Sequence, residues 1–271
     1  MRFGLDIAQQ RLEWDEIAGR AKFAETLGFE GVWGFDHFQP MYGEGPGNCF
    51  EGWTTLAALA GVTERVRLGL LVTGYTYRHP SLLASEVITV DHVSHGRVDL
   101  SLGAAWFEGE HRALGFDFPP TGERIEGFEE ALQVIELLMT EDDVSFSGKH
   151  FRLDHATMRP RPVQQPHPPI WIGAGGERKM LPIAARHADV WHSFGSVEDL
   201  TRKSARLDEL ALEYGRDPDA IERATSLSLD GSDDEVAAQI DAWTEAGFDH
   251  LIVGWPATGR PRIEQFASRF L

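Results

Sequence analysis

"RVRLGLLVTGYTYRHPSLLASEVITVDHVSHGRVDLSLGAAW", residues 65–106, decides the fold. Its first ten residues form an apolar, β-rich run that stops at Gly74. Pro80 suits the first turn of a helix over 80–94, since its missing N–H costs nothing there. A second apolar run over 96–106 then ends in small residues and Trp106. Strand, helix, strand in one direction is the unit of a parallel sheet.

The same unit repeats on both sides. Towards the N-terminus, residues 2–8 predict a strand. A helix over 13–28 follows, with Ile17, Ala21, Ala24 and Leu27 on one face and Gly28 as its stop. A strand over 31–35, a Gly-rich loop and a helix over 52–63 complete the second unit. Towards the C-terminus, 122–140 is the strongest amphipathic segment. The rhythm breaks at 144–154, a β-hairpin turning at Ser147-Gly148, and at the proline-rich stretch 158–169. It resumes with strands over 169–176, 188–195, 221–231 and 248–255, each followed by a helix; Ser232 and Glu235 make a capping box. Eight strand–helix units predict a single-domain α/β (β/α)8 TIM barrel over 1–271, with an insertion region, 144–168, after the fourth helix.

Forty-three acidic residues against 25 Lys and Arg give a net charge of −18. That balance argues against nucleic acid or an anionic membrane as partner. Any anionic ligand must then be held by backbone N–H groups or a few placed cations. Cys49 is the single cysteine, so the chain has neither an internal disulfide nor a multi-cysteine metal site. With no apolar run near the roughly 20 residues of a membrane helix, a cytoplasmic location is expected.

In such barrels the strand C-termini carry the site. The second strand ends in Asp36-His37, beside Phe38. His37 has the proton affinity for acid–base work; a solvent-facing rim histidine is the plainer reading. Asp36 suits either chemistry or loop capping. The fifth strand runs into "GAGGER", 173–178, whose amides suit a phosphate as well as an ordinary tight turn; Arg178 and Lys179 are near. "HSFG", 192–195, adds Ser193 and Gly195. Asp36-His37, Asp91-His92, His95, His192 and Asp249-His250 are raw material for a metal hydrolase, but the H-x-H and H-E-x-x-H spacings are missing, and no metal is assigned.

Together, "GFDHFQP", "VRLGLLVTGYTYRHP", "VDHVSHGRVDLSLGAAWFEGEHRALGF", "RPRPVQQPHPPIWIGAGG" and "AARHADVWH" resemble the luciferase-like monooxygenase superfamily, and within it the oxidoreductases that use the deazaflavin coenzyme F420. The resemblance runs in order along nearly the whole chain. It implies a hydride transfer between F420 and a small organic substrate, with an FMN-dependent monooxygenase as the alternative. It also implies that Asp36 and His37 lie by the reactive ring, where His37 positions or protonates substrate or stabilises the reduced ring. A bulge with a non-prolyl cis peptide is implied at Leu71-Val72, with Val72-Thr73 the next choice. Gly103, Ala104, Ala105 and Trp106 would line the ring, with Glu110 following. The phosphate would sit on Gly175, Gly176, Ser193 and Gly195. Where the sugar-phosphate dehydrogenases of this branch carry a proton-donating glutamate, this chain has Trp106. That departure and an apolar mouth of Trp33, Phe38, Trp53, Tyr75 and Trp106 point to a fairly apolar substrate. A homodimer packed through the helices near strands two and three is expected. A non-catalytic flavin-binding barrel is the reading from outside enzymology.

Overall fold

The computed structural model describes residues 1–271. In chain order the elements are β1 (Arg2–Asp6), α1 (Trp14–Leu27), β2 (Gly31–Gly34), α2 (Gly52–Ala60), β3 (Arg67–Leu70), β4 (Thr73–Gly74), α3 (Pro80–Val93) and β5 (Leu100–Gly103). Then come α4 (Glu108–Leu114), α5 (Thr121–Thr140), β6 (Val144–Ser147), β7 (Arg152–Ala156), β8 (Ile170–Gly173), α6 (Met180–His187), β9 (Val190–His192), α7 (Val197–Glu213), β10 (Glu222–Leu227), α8 (Asp233–Glu245), β11 (His250–Val253) and α9 (Arg260–Phe270). Apart from the β6–β7 pair, the strands form one parallel sheet in the order β3-β2-β1-β11-β10-β9-β8-β5-β4. β3 and β4 are the two halves of one barrel strand, parted at the cis Leu71–Val72 peptide. β3 pairs with β2 and β4 with β5, and Leu68 bridges to Val98, so the ring closes on itself.

Local chemistry sets the helix ends as the sequence suggests. Pro80 stands in the first turn of α3, Gly28 ends α1 at φ 92°, and Ser232 with Glu235 closes a capping box on α8. Two segments differ from expectation. The hairpin turn is four residues long rather than centred on Ser147-Gly148, because the Glu130 carboxylate on α5 gathers the amides of Lys149, His150 and Phe151 at 2.8, 2.8 and 3.1 Å. Residues 108–114, beyond the strand expected over 96–106 and predicted as no helix, form α4.

Most apolar side chains pack between the strands and the helix ring. A smaller cluster of Trp33, Trp171, Val190, Ala224 and Ile252 fills the barrel itself. The His250 ring meets Trp33 and Trp171 with centroids at 5.1 and 5.0 Å, and neither of its nitrogens has a partner. Burial first, then Arg2, pushes its pKa down to about 3. A histidine held neutral in the fold but free to protonate when unfolded gives stability that is full above about pH 6.5 and is lost as pH falls towards 3. His250→Leu should therefore flatten the acid limb. Between pH 7.5 and pH 4 the variant should lose about 3 kcal/mol less than the wild type, at 1.36 kcal/mol per pKa unit. Denaturant titrations at the two pH values measure this, and the packing cost of the swap cancels in the comparison. Parallel acid limbs would contradict it.

Candidate active site

The strand C-termini open into a cavity of about 790 Å³, the size of a site for a cofactor-sized ligand. Its floor is Leu71 and Val72, with Gly103 on the neighbouring β5 and Gly173 on β8 beyond it. A Cβ on Gly103 would stand 2.8 Å from Val72 Cγ2, so only glycine lets the Val72 side chain lie flat there. Ala105 adopts the left-handed conformation, φ 61°, as the chain turns from β5 towards α4.

His37 lies just beyond β2, is 7% exposed and lines this cavity. Its Nδ1 is 3.0 Å from Glu110 Oε2. Glu110, on α4, is fully buried, and four groups of the chain converge on it. The amides of Phe38 and Gln39 donate to Oε1 at 2.8 Å each, and the Tyr77 hydroxyl donates to Oε2 at 2.6 Å. Burial opposes ionisation of Glu110, but the hydrogen bonds from His37, Tyr77 and Phe38 prevail and hold its carboxyl below the ordinary range. Burial, then Glu110, drives the Tyr77 pKa upward, so it stays a phenol donor. An ionised carboxylate only accepts. His37 therefore carries its proton on Nδ1, and Nε2 is the nitrogen left for a ligand. Trp106 and Phe107 wall the imidazole edge-on at 5.8 and 5.7 Å.

Asp36 is engaged differently from its neighbour. It is 1% exposed, and Arg78 donates to both its oxygens, at 2.6 and 3.0 Å. Arg78 also pairs with Glu51 and, at 3.2 Å, with Glu86. Burial raises the Asp36 pKa against the pull of Arg78. Its carboxylate is thus an internal tie, with no oxygen free for proton traffic.

Of the other expected site residues, Leu71, Val72, Gly103, Ala104, Ala105, Trp106, Gly175, Gly176 and Ser193 line the cavity. Gly175 and Gly176 precede α6, and their amides donate to nothing in the chain. Thr73 and Gly195 stand back from the wall. Thr73 is fully buried and accepts from Trp53 Nε1 at 3.0 Å, and Gly195 packs on Leu200. Of the five aromatics expected at the mouth, only Trp106 borders the cavity. Trp33 is inside the barrel, Trp53 and Tyr75 are in the core, and Phe38 stacks on Phe116. Arg178 and Lys179 are also outside the wall. The one Lys or Arg that lines it is Arg124, whose guanidinium stacks on Phe118 at 3.8 Å and donates to Pro119 O at 2.7 Å. The histidines and carboxylates weighed for a metal are dispersed around the fold, and no three of them converge.

Glu110, Tyr77, Arg124 and Asp6 are lining or supporting residues that the sequence reading passed over or left without a role. Asp6, at the end of β1, has a pKa raised to about 6 by burial. Residues 1–252 match the luciferase-like monooxygenase family. The chain belongs to that family.

Among luciferase-like relatives, the F420-dependent glucose-6-phosphate dehydrogenase of Amycolatopsis mediterranei is 34% identical, in an alignment covering all of this chain and 98% of that protein. The FMNH2-dependent dimethylsulfone monooxygenase of Pseudomonas putida is 29% identical over 85% of this chain, which spans only 62% of that longer protein. An F420-dependent secondary alcohol dehydrogenase, solved with an F420–acetone adduct, superposes with a TM-score of 0.85 at 21% identity, covering 93% of this chain and 92% of that one. At that identity the superposition shows the shared barrel.

Proposed function

We propose that the chain is an oxidoreductase that moves a hydride between coenzyme F420 and a small, fairly apolar organic substrate. The observation that carries the reading is the pairing of a floor, Leu71-Val72 with Gly103 and Gly173 beside Val72, with an imidazole, His37, that lines the same cavity and has no partner on Nε2. Those residues fit a planar tricycle, and the unengaged amides of Gly175 and Gly176 with the Ser193 hydroxyl fit its phosphate. When bound, the deazaflavin supplies hydride chemistry. The chain supplies the rest. Glu110 fixes the tautomer of His37, and His37 Nε2 accepts or returns the proton that accompanies hydride loss or gain. Arg78 holds Asp36, and with it the end of β2. Of the lining aromatics, Phe35 and Tyr77 are buried and keep water low around the imidazole, while Trp106 is exposed at the mouth.

The full-length alignment with an F420 enzyme supports F420, and the partial one with an FMNH2-dependent monooxygenase supports FMN as the second reading. A sugar phosphate fits less well, since Arg124 is the lone Lys or Arg on the wall and is already stacked and hydrogen-bonded. Exposed Val62, Leu82 and Val93 give the proposed homodimer an apolar surface beside α2 and α3.

Fluorescence titration with F420 and separately with FMN tests the cofactor. Micromolar F420 binding is expected, with FMN at least tenfold weaker. His37→Ala should change the F420 dissociation constant by under about fivefold and abolish turnover, as expected of an acid–base residue worth roughly 10²–10⁴ in rate. Tighter FMN binding would move the chain to the monooxygenase reading, and absence of binding by both would end the proposal.

A further inference from the structure

A second cavity, of about 350 Å³, adjoins the first at the ends of β1, β10 and β11. Asp6 and Ser226 belong to the walls of both, so the two spaces meet at these side chains. Its remaining walls are mostly apolar, including Leu229, Ile252 and Trp255, with Asp230 at the rim. No Lys, Arg or His lines it. Asp6 takes one hydrogen bond, from the Ala8 amide to Oδ1 at 2.8 Å, and its second oxygen receives none. The nearest cation, Arg20, is held by Glu16 at 2.9 Å and lies over the Trp255 ring at 3.8 Å, without a hydrogen bond to Asp6. The other carboxylate of the main cavity, Asp36, is taken by Arg78, which leaves Asp6 as the unclaimed one.

A carboxylate in an apolar recess with no cation of its own favours a ligand that brings one. We infer that this annex is a subsite for the substrate's cationic end, a protonated primary amine on an apolar body, seated against Asp6. As a statement about substrate it rests on the oxidoreductase reading; as a statement about binding it does not. The volume suits a group the size of a benzyl ring. Gly254 gives a way to close the annex alone: it lines that cavity and not the main one, and a Cβ there meets nothing nearer than Leu227 O at 3.8 Å.

The test titrates the unliganded protein at pH 7.5 with benzylammonium and its neutral counterpart, benzyl alcohol, following tryptophan fluorescence. Benzylammonium should bind at least tenfold more tightly. Asp6→Asn, which keeps the shape, should erase that preference. Gly254→Leu should weaken both probes tenfold or more while leaving F420 binding within twofold. Equal binding of the two probes to the wild type, or a preference that survives Asp6→Asn, would overturn the inference. If the wild type keeps the amine preference but does not bind F420, the annex stands as an amine site and the hydride-transfer proposal falls.

Discussion

Replacement of Arg78 by Met is expected to destabilise the fold by about 3–5 kcal/mol, the usual consequence of leaving a buried charge without its partner. Arg78 is 7% exposed at its side chain and serves three carboxylates, of which Asp36 is itself 1% exposed. Glu51 also caps α2 by accepting from the amides of Trp53 and Thr54, so losing its cation loosens the start of that helix. The deficit should depend on pH in a definite direction. Asp36 already has a raised pKa in the presence of Arg78, and Glu86 is pushed to about 7 by burial. Without the guanidinium both move further up. Carboxyls whose folded pKa lies above the unfolded one favour folding most at low pH and lose that contribution as pH rises. The loss in Arg78→Met should therefore be smaller at pH 5 than at pH 8. Urea titrations at both values decide it, and Arg78→Met/Asp36→Asn should recover part of the loss at pH 8. A single-variant effect below about 1 kcal/mol at pH 8 would mean that the cluster is solvated.

The contrast between Asp36 and Arg78 shows what the sequence could and could not carry. Alternating apolar runs and helix stops made the barrel and its strand ends legible, because both follow from local spacing. Asp36 and His37 stood out because two polar residues closed an apolar run. Their partners did not, because Arg78 lies 42 residues from Asp36 and Glu110 lies 73 from His37. Glu110 gave a weak signal: Glu108 and Glu110 with Arg112 fit one short helix, yet the segment follows a strand so closely that no helix is predicted there. The aromatic residues were misplaced for a different reason. Strands covered on both faces are apolar throughout and lose their period of two. Nothing in "GVWGF" therefore tells that Trp33 points into the barrel and Val32 out towards the helices. Thr73 and Gly195 sit within two residues of true lining positions, the margin by which a strand end is blurred.

Glu110 leads to the other large effect. In Glu110→Gln the side chain keeps its shape but must present an NH2 where an oxygen stood. Keeping its carbonyl towards the amides of Phe38 and Gln39 turns the NH2 towards His37 Nδ1 and the Tyr77 hydroxyl. An N–H cannot face an N–H, so His37 must shift its proton from Nδ1 to Nε2. The nitrogen facing the cavity then changes from acceptor to donor, and a ring fixed in the wrong tautomer is a poor base. Turnover should fall by roughly 10²-fold or more, whereas F420 affinity should stay within about threefold, because Glu110 does not line the cavity. Nitrogen-15 NMR of the imidazole distinguishes this from general loosening of the α4 loop: Nε2 should read as protonated in the variant and as bare in the wild type near pH 8. If turnover drops while the tautomer stays put, Glu110 acts by holding the Phe38-Gln39 loop. If both stay put, His37 does not depend on Glu110, and the carboxylate is there for the backbone amides alone.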